Sequence, residues 1–182
     1  MPSSGQPASR PMHIVVCPLS KLSDVIELHR PDRVISMLDP GASFPDLGAR
    51  YAGQHLRLAF HDVDFPEADE IGPSTDHVRS ILQFLDSRPR TILIHCRAGV
   101  SRSTAAAFIA ACAANPQANE HALAVQLRDV APMARPNETL INLADAEMNR
   151  GGRMVAAIAE TGRGLDWSLV VEGWPFVLDA ML

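Results

Sequence analysis

Between Ile92 and Ala106 the chain reads ILIHCRAGVSRSTAA, and this run constrains the fold more than any other. An apolar, β-branched segment delivers His95-Cys96. Five residues follow, then Arg102, Ser103 and Thr104, and then an alanine-rich stretch with helical character. Strand, short loop and helix in that order place a loop at the carboxyl end of a strand, where open α/β sheets hold their ligands. Such a loop aims successive backbone N–H groups at an anion, and the helix behind it adds its positive end. The residues from Arg97 through Ala98, Gly99, Val100 and Ser101 to Arg102 are therefore the candidate phosphate-binding loop. The field that binds an oxyanion also stabilises a thiolate, so Cys96 is expected to be a nucleophile at neutral pH. Arg102 supplies a planar fork that matches two phosphate oxygens. Gly99 is expected to let the backbone approach the ligand without a Cβ in the way.

The string His95-Cys96-x-x-Gly99-x-x-Arg102-Ser103 resembles the signature of the cysteine-dependent protein tyrosine phosphatase superfamily. The fuller HCRAGVSRST is most similar to its small dual-specificity branch. The resemblance covers roughly 13–149, strongly at 92–106 and faintly elsewhere. It implies a phosphatase that works through a phosphocysteine on Cys96, without metal or other cofactor. In that family a carboxylate following an earlier strand is the general acid, a role that falls on Asp62, at the end of HLRLAFHD. Asp64 fits almost as well by spacing, and His61 is a further possibility. Ser103 resembles the hydroxyl that stabilises the departing sulfur, and His95 the imidazole that organises the loop. Asn137, in ARPNETL, resembles a Pro-Asn pair that supports the phosphate loop, although capping of the next helix accounts for it equally well.

The rest of the chain is read from pattern. Apolar runs at 13–19, 33–38, 55–60 and 91–94 predict strands, and 22–29 predicts a short amphipathic helix. Ser74 or Thr75 is expected to cap a helix carrying Val78, Ile81, Leu82 and Leu85. The segment 103–114 stops at Asn115-Pro116, and Asn119 caps a helix through Leu123, Leu127 and Val130. Pro136-Asn137 opens another with Leu140, Ile141, Ala144 and Met148 on one face, ended by Gly151-Gly152. Alternating strands and helices followed by helices alone predict an α/β fold. Its central sheet, mostly parallel and of four to five strands, is flanked by helices on both faces. The expected organisation is a disordered leader over 1–11, a phosphatase catalytic domain over 12–150, and a C-terminal extension over 151–182. The extension holds both tryptophans and an apolar run that should pack on the domain.

Composition narrows the function. A net charge of −5 disfavours a nucleic-acid partner. No run approaches the ~20 apolar residues of a membrane span, and MPSSGQPASRP lacks a signal-peptide core. Basic charge is nearly all arginine, with Lys21 the lone lysine, which reads as a GC-rich bacterial composition. Cys17, Cys96 and Cys112 have no metal-ligand spacing, and so sparse a count points to a reducing cytoplasm. A protective disulfide between Cys17 and Cys96 is one possibility.

The expected substrates are phosphotyrosine proteins, with phosphoserine, phosphothreonine and small phosphomonoesters open. Phosphate, sulfate or vanadate should occupy the loop. The alternatives are an inositol-phosphate or lipid phosphatase, disfavoured because Arg97 is the only cation among the five variable loop positions, and a non-catalytic phosphate-binding module. A rhodanese-type sulfur transferase would need a shorter loop. Residues 40–53 are the expected wall of the substrate site.

Overall fold

The computed structural model describes residues 12–166 and 170–180. The leader over 1–11 lies outside the described residues, as do 167–169 and 181–182. Strands β1 (His13–Pro18), β2 (Arg33–Leu38), β3 (His55–Ala59), β4 (Thr91–Cys96) and β5 (Phe176–Asp179) form one sheet in the order β3-β2-β4-β1-β5. The first four are mutually parallel and β5 runs antiparallel to β1. The helices are α1 (Leu22–His29), α2 (Thr75–Leu85), α3 (Arg102–Ala114), α4 (Glu120–Val130), α5 (Glu138–Glu147) and α6 (Arg153–Glu160). This is the expected α/β architecture with a mostly parallel sheet of five strands.

The two faces of the sheet are unequal. The larger core cluster joins Ile14, Val16, Ile35, Met37, Ile92, Ile94 and Cys96 to side chains from α2 through α6. The smaller one joins Val15, Cys17, Val34 and Leu93 to α1 residues and Tyr51. Period-two alternation along each strand assigns the residues to these faces. α3 lies at the centre of the larger cluster. Its residues from Arg102 to Cys112 are all buried, and its run of alanines permits that close packing.

Local signals set the helix starts. Ser74 caps α2 in a reciprocal box: its hydroxyl accepts from the His77 N–H and the His77 Nδ1 accepts from the Ser74 N–H. Asn119 caps α4 through the Ala122 N–H. α5 stops at Glu147, earlier than the glycine pair suggested. The Asp145 carboxylate accepts from the Gly152 and Met154 N–H groups and thereby starts α6. Within the C-terminal apolar run, Phe176–Asp179 forms a strand: Phe176 and Leu178 are buried, Val171 and Trp174 are exposed, and β5 extends the sheet beyond β1. No helix among the described residues is long and apolar enough to cross a membrane.

Candidate active site

Parallel pairing of β1, β2, β3 and β4 brings their carboxyl ends to one edge of the sheet, and the chain leaves β4 there at Cys96. The loop from Arg97 to Ser101 curls back so that the Gly99 N–H points to Cys96 Sγ at 3.3 Å. Its carbonyls are tied on the outside. The Arg97 carbonyl accepts from the Leu19 N–H at 3.1 Å, that of Ala98 from the Gly173 N–H at 2.8 Å, and that of Val100 from the Arg135 N–H at 2.9 Å. In a trans peptide the N–H points opposite to the C=O. Each of these bonds therefore turns the next N–H, on Ala98, Gly99 and Ser101, toward the concave side. α3 begins directly behind the loop, and Ser101 makes no side-chain cap to it.

Gly99 has φ +71°, and a Cβ there would lie 2.7 Å from the Pro18 nitrogen and 3.0 Å from the Cys17 carbonyl carbon. The glycine is thus required by the end of β1 packed beneath the loop.

Arg102 is almost fully buried. Its Nη1 donates to Asp39 Oδ1 at 2.8 Å and to the Phe60 carbonyl at 2.7 Å. Its Nε is buried with no hydrogen-bond partner, 3.6 Å from Asp62 Oδ2. One edge of the guanidinium is anchored and a buried donor on the other edge makes no hydrogen bond, which suits an incoming anion. The Ser103 hydroxyl lies 3.2 Å from Cys96 Sγ. Asp39 was not singled out from the sequence; its place at the end of β2, in a turn-forming Asp-Pro-Gly, concealed its contact with Arg102.

The two candidate acids diverge. Asp62 Oδ1 accepts from the Ser101 hydroxyl at 2.7 Å and from Asn137 Nδ2 at 3.1 Å, so its carboxylate touches the loop. Asp64 faces the start of α5, where its carbonyl accepts from the Thr139 hydroxyl. Of the two roles its position suggested, Asn137 takes the capping one: its Oδ1 caps α5 through the Leu140 N–H, while its amide contacts Asp62 and not the loop itself. His61 sits at the neck of the loop that carries both aspartates: its N–H donates to the Ile71 carbonyl, and its Nδ1 accepts from the Ile71 N–H.

His95 faces the other side of the sheet. Its Nδ1 meets the Cys96 carbonyl at 3.4 Å, which accepts only, so this nitrogen carries the proton. Its Nε2 then accepts from the Ser36 hydroxyl at 2.5 Å. Ser36 Oγ in turn accepts from His55 Nε2–H at 2.7 Å, and His55 Nδ1 accepts from Arg57 Nε. Four donors run in one direction toward the Cys96 carbonyl, and both imidazoles must be neutral for the chain to close. Burial pushes each histidine down to about 4, in keeping with this. Ser36 and His55 were absent from the sequence-derived set. Ser36 is opposite His95 in the β2–β4 register, which a single chain's sequence does not reveal.

Cys17 falls on the α1 face with Val15, whereas Cys96 falls on the α3 face. The sheet separates the two side chains, so the suggested disulfide is not formed and all three cysteines are free. Burial pushes the Cys17 thiol up to about 12. Residues 40–53, the suggested substrate wall, anchor through buried Tyr51 in the α1-side cluster. A cleft of about 680 Å³ opens beside Asp62 and Ser101 and is lined further by Asn137, Ile141, Ile158 and Arg163.

No protein-family model matches the chain, and no curated protein is significantly similar to it in sequence. Solved structures do match. The phosphatase domain of Yvh1 from Chaetomium thermophilum is 20% identical, covers 78% of this chain and 93% of its own, and superposes with a TM-score of 0.54. DUSP15 is 15% identical over 84% of this chain and 92% of its own, with a TM-score of 0.58. A human tyrosine phosphatase-like serine/threonine/tyrosine-interacting protein is 19% identical over 74% of this chain and 87% of its own, with a TM-score of 0.52. The chain has the fold of the cysteine-dependent tyrosine and dual-specificity phosphatases.

Proposed function

We propose that this protein is a phosphomonoester hydrolase that acts on phosphotyrosine proteins through a phosphocysteine at Cys96, with phosphoserine and phosphothreonine as further substrates. One observation carries the reading. A buried Arg102 Nε that makes no hydrogen bond stands at a loop whose carbonyls are tied outward and whose Gly99 amide points to Cys96 Sγ. Those donors meet the charge on the equatorial oxygens of the phosphoryl group. In the first step the Cys96 thiolate attacks phosphorus, the P–O bond to the substrate breaks, and Asp62 gives its proton to the departing oxygen. In the second step water attacks phosphorus, the S–P bond breaks, and Asp62 takes a proton from the water. Ser103 donates to the sulfur as it leaves as thiolate. Asn137 and Ser101 hold the Asp62 carboxyl over the loop in both steps. The catalytic unit is assigned to 12–150, and the substrate's body to the cleft beside Asp62.

A phosphate-binding module without turnover is the second reading, and the near-complete burial of Cys96 favours it. Hydrolysis of an aryl phosphate in the presence of chelator separates the two. We expect turnover that vanadate inhibits competitively and that Cys96→Ser abolishes. Vanadate binding without turnover would select the second reading.

A further inference from the structure

Of the backbone N–H groups on Leu19, Arg135 and Gly173 that hold loop carbonyls, the first two belong to the region that resembles a phosphatase, and the third does not. Gly173 lies in the segment between α6 and β5. We propose that the C-terminal segment 170–179 is a clamp built onto the phosphate-binding loop, with Gly173 as a positioning residue; this rests on the reading of that loop as an oxyanion site.

Register explains why the segment reaches the loop. β5 pairs with β1 from Phe176 opposite Val16 to Asp179 opposite His13. Because the strands are antiparallel, residues before Phe176 continue past the carboxyl end of β1, where the loop lies. Gly173 arrives against the outer side of the loop, and its N–H donates to the Ala98 carbonyl at 2.8 Å. That bond fixes the 98–99 peptide, whose other end is the Gly99 N–H directed at Cys96 Sγ. If this peptide flipped, a carbonyl oxygen would face the thiolate and the incoming anion, where both repel it.

The fit is close. Gly173 is buried although its neighbours Glu172 and Trp174 are exposed. A Cβ at 173 would lie 3.0 Å from the Gly99 carbonyl oxygen, 3.2 Å from Met133 Cε and 3.3 Å from the Ala98 carbonyl oxygen. The segment is fastened on both sides of this contact. Upstream, Glu172 Oε1 accepts from the Ser20 hydroxyl at 2.5 Å; downstream, Phe176 and Leu178 are buried in the main core. The loop is thereby held between the end of β1, which a Cβ on Gly99 would strike, and the clamp, where a Cβ on Gly173 would crowd the loop carbonyls.

The test compares full-length variants well below their melting temperatures. Gly173→Pro removes the N–H, Gly173→Ala keeps it but crowds the Gly99 carbonyl, and Leu85→Ala loosens the core at the end of α2 without touching the loop or the clamp. Vanadate affinity, kcat/KM for an aryl phosphate, and iodoacetate alkylation of Cys96 are measured beside thermal stability. The clamp predicts a loss of about tenfold in vanadate affinity for Gly173→Pro, the scale of one hydrogen bond. Alkylation should slow in parallel and Gly173→Ala should lose less, while Leu85→Ala lowers stability and leaves vanadate affinity unchanged. Wild-type vanadate affinity and turnover in both Gly173 variants would overturn the clamp. So would losses that track thermal stability in all three. A wild-type protein that binds no vanadate would overturn the oxyanion-site reading, and the clamp with it.

Discussion

Arg102 holds an unusual position for a buried arginine. It donates to a carboxylate and a carbonyl on one edge while its buried Nε makes no hydrogen bond and lies 3.6 Å from Asp62 Oδ2. A buried donor that makes no hydrogen bond is a ready contact for an arriving oxyanion. Beside it, Asp62 rather than Asp64 is turned to the loop. A general acid matters most when the leaving group is poor. Asp62→Asn should therefore slow hydrolysis of phenyl or tyrosyl phosphate by ~10²–10⁴-fold, and an activated aryl phosphate far less. Asp64→Asn should show a small change independent of leaving group. Steady-state kinetics with both substrates decides, and the reverse pattern would transfer the role. At this scale the sequence exposed the candidate loop, because Cys96, Gly99, Arg102 and Ser103 lie within one short run. It left Asp62 and Asp64 unresolved, since that choice depends on which carboxylate Ser101 and Asn137 reach from elsewhere in the chain.

The loop and the strand beneath it act as one element. Gly99 combines a left-handed backbone with direct contact on the Cys17–Pro18 backbone. Gly99→Ala is expected to cost roughly 1–2 kcal/mol from backbone conformation alone, and the 2.7 Å contact displaces the loop further. Thermal melts should show the destabilisation, and kcat/KM for an aryl phosphate should fall by at least tenfold. Unchanged kcat/KM would mean that the loop's seat on β1 does not set its geometry. Most elements were readable from local pattern: the caps at Ser74 and Asn119 and the period-two runs of β1 to β4 fall where the sequence puts them. β5 was not, because four residues, FVLD, carry too little periodicity to identify a strand. Its register is set by β1 at the opposite end of the chain.

For the molecule as a whole, the directed chain from Arg57 through His55 and Ser36 to His95 makes stability depend on pH. Both histidines are held near 4 in the fold, against 6.5 when free. Below pH 6.5 the unfolded chain takes up protons that the folded one refuses until about pH 4. Their contribution is fully present above pH 6.5 and is lost as pH falls toward 4. The melting temperature should drop by several degrees across that window, and His55→Gln should make the drop shallower. An identical slope in the variant would remove His55 from the account. The fold class was legible in the alternation of strands and helices. The polar chain was not, since Ser36 meets His95 only through strand pairing.

The central claim is that Cys96 carries the phosphoryl group. Its most direct test is mass analysis of the protein acid-quenched during turnover of an aryl phosphate. Asp62→Asn is used as well as wild type, because with a good leaving group the first step proceeds and the second is slowed. The account predicts a phosphoryl adduct on the peptide containing Cys96, accumulating in Asp62→Asn and absent from Cys96→Ser. Turnover with no adduct on Cys96, or at the wild-type rate in Cys96→Ser, would contradict it.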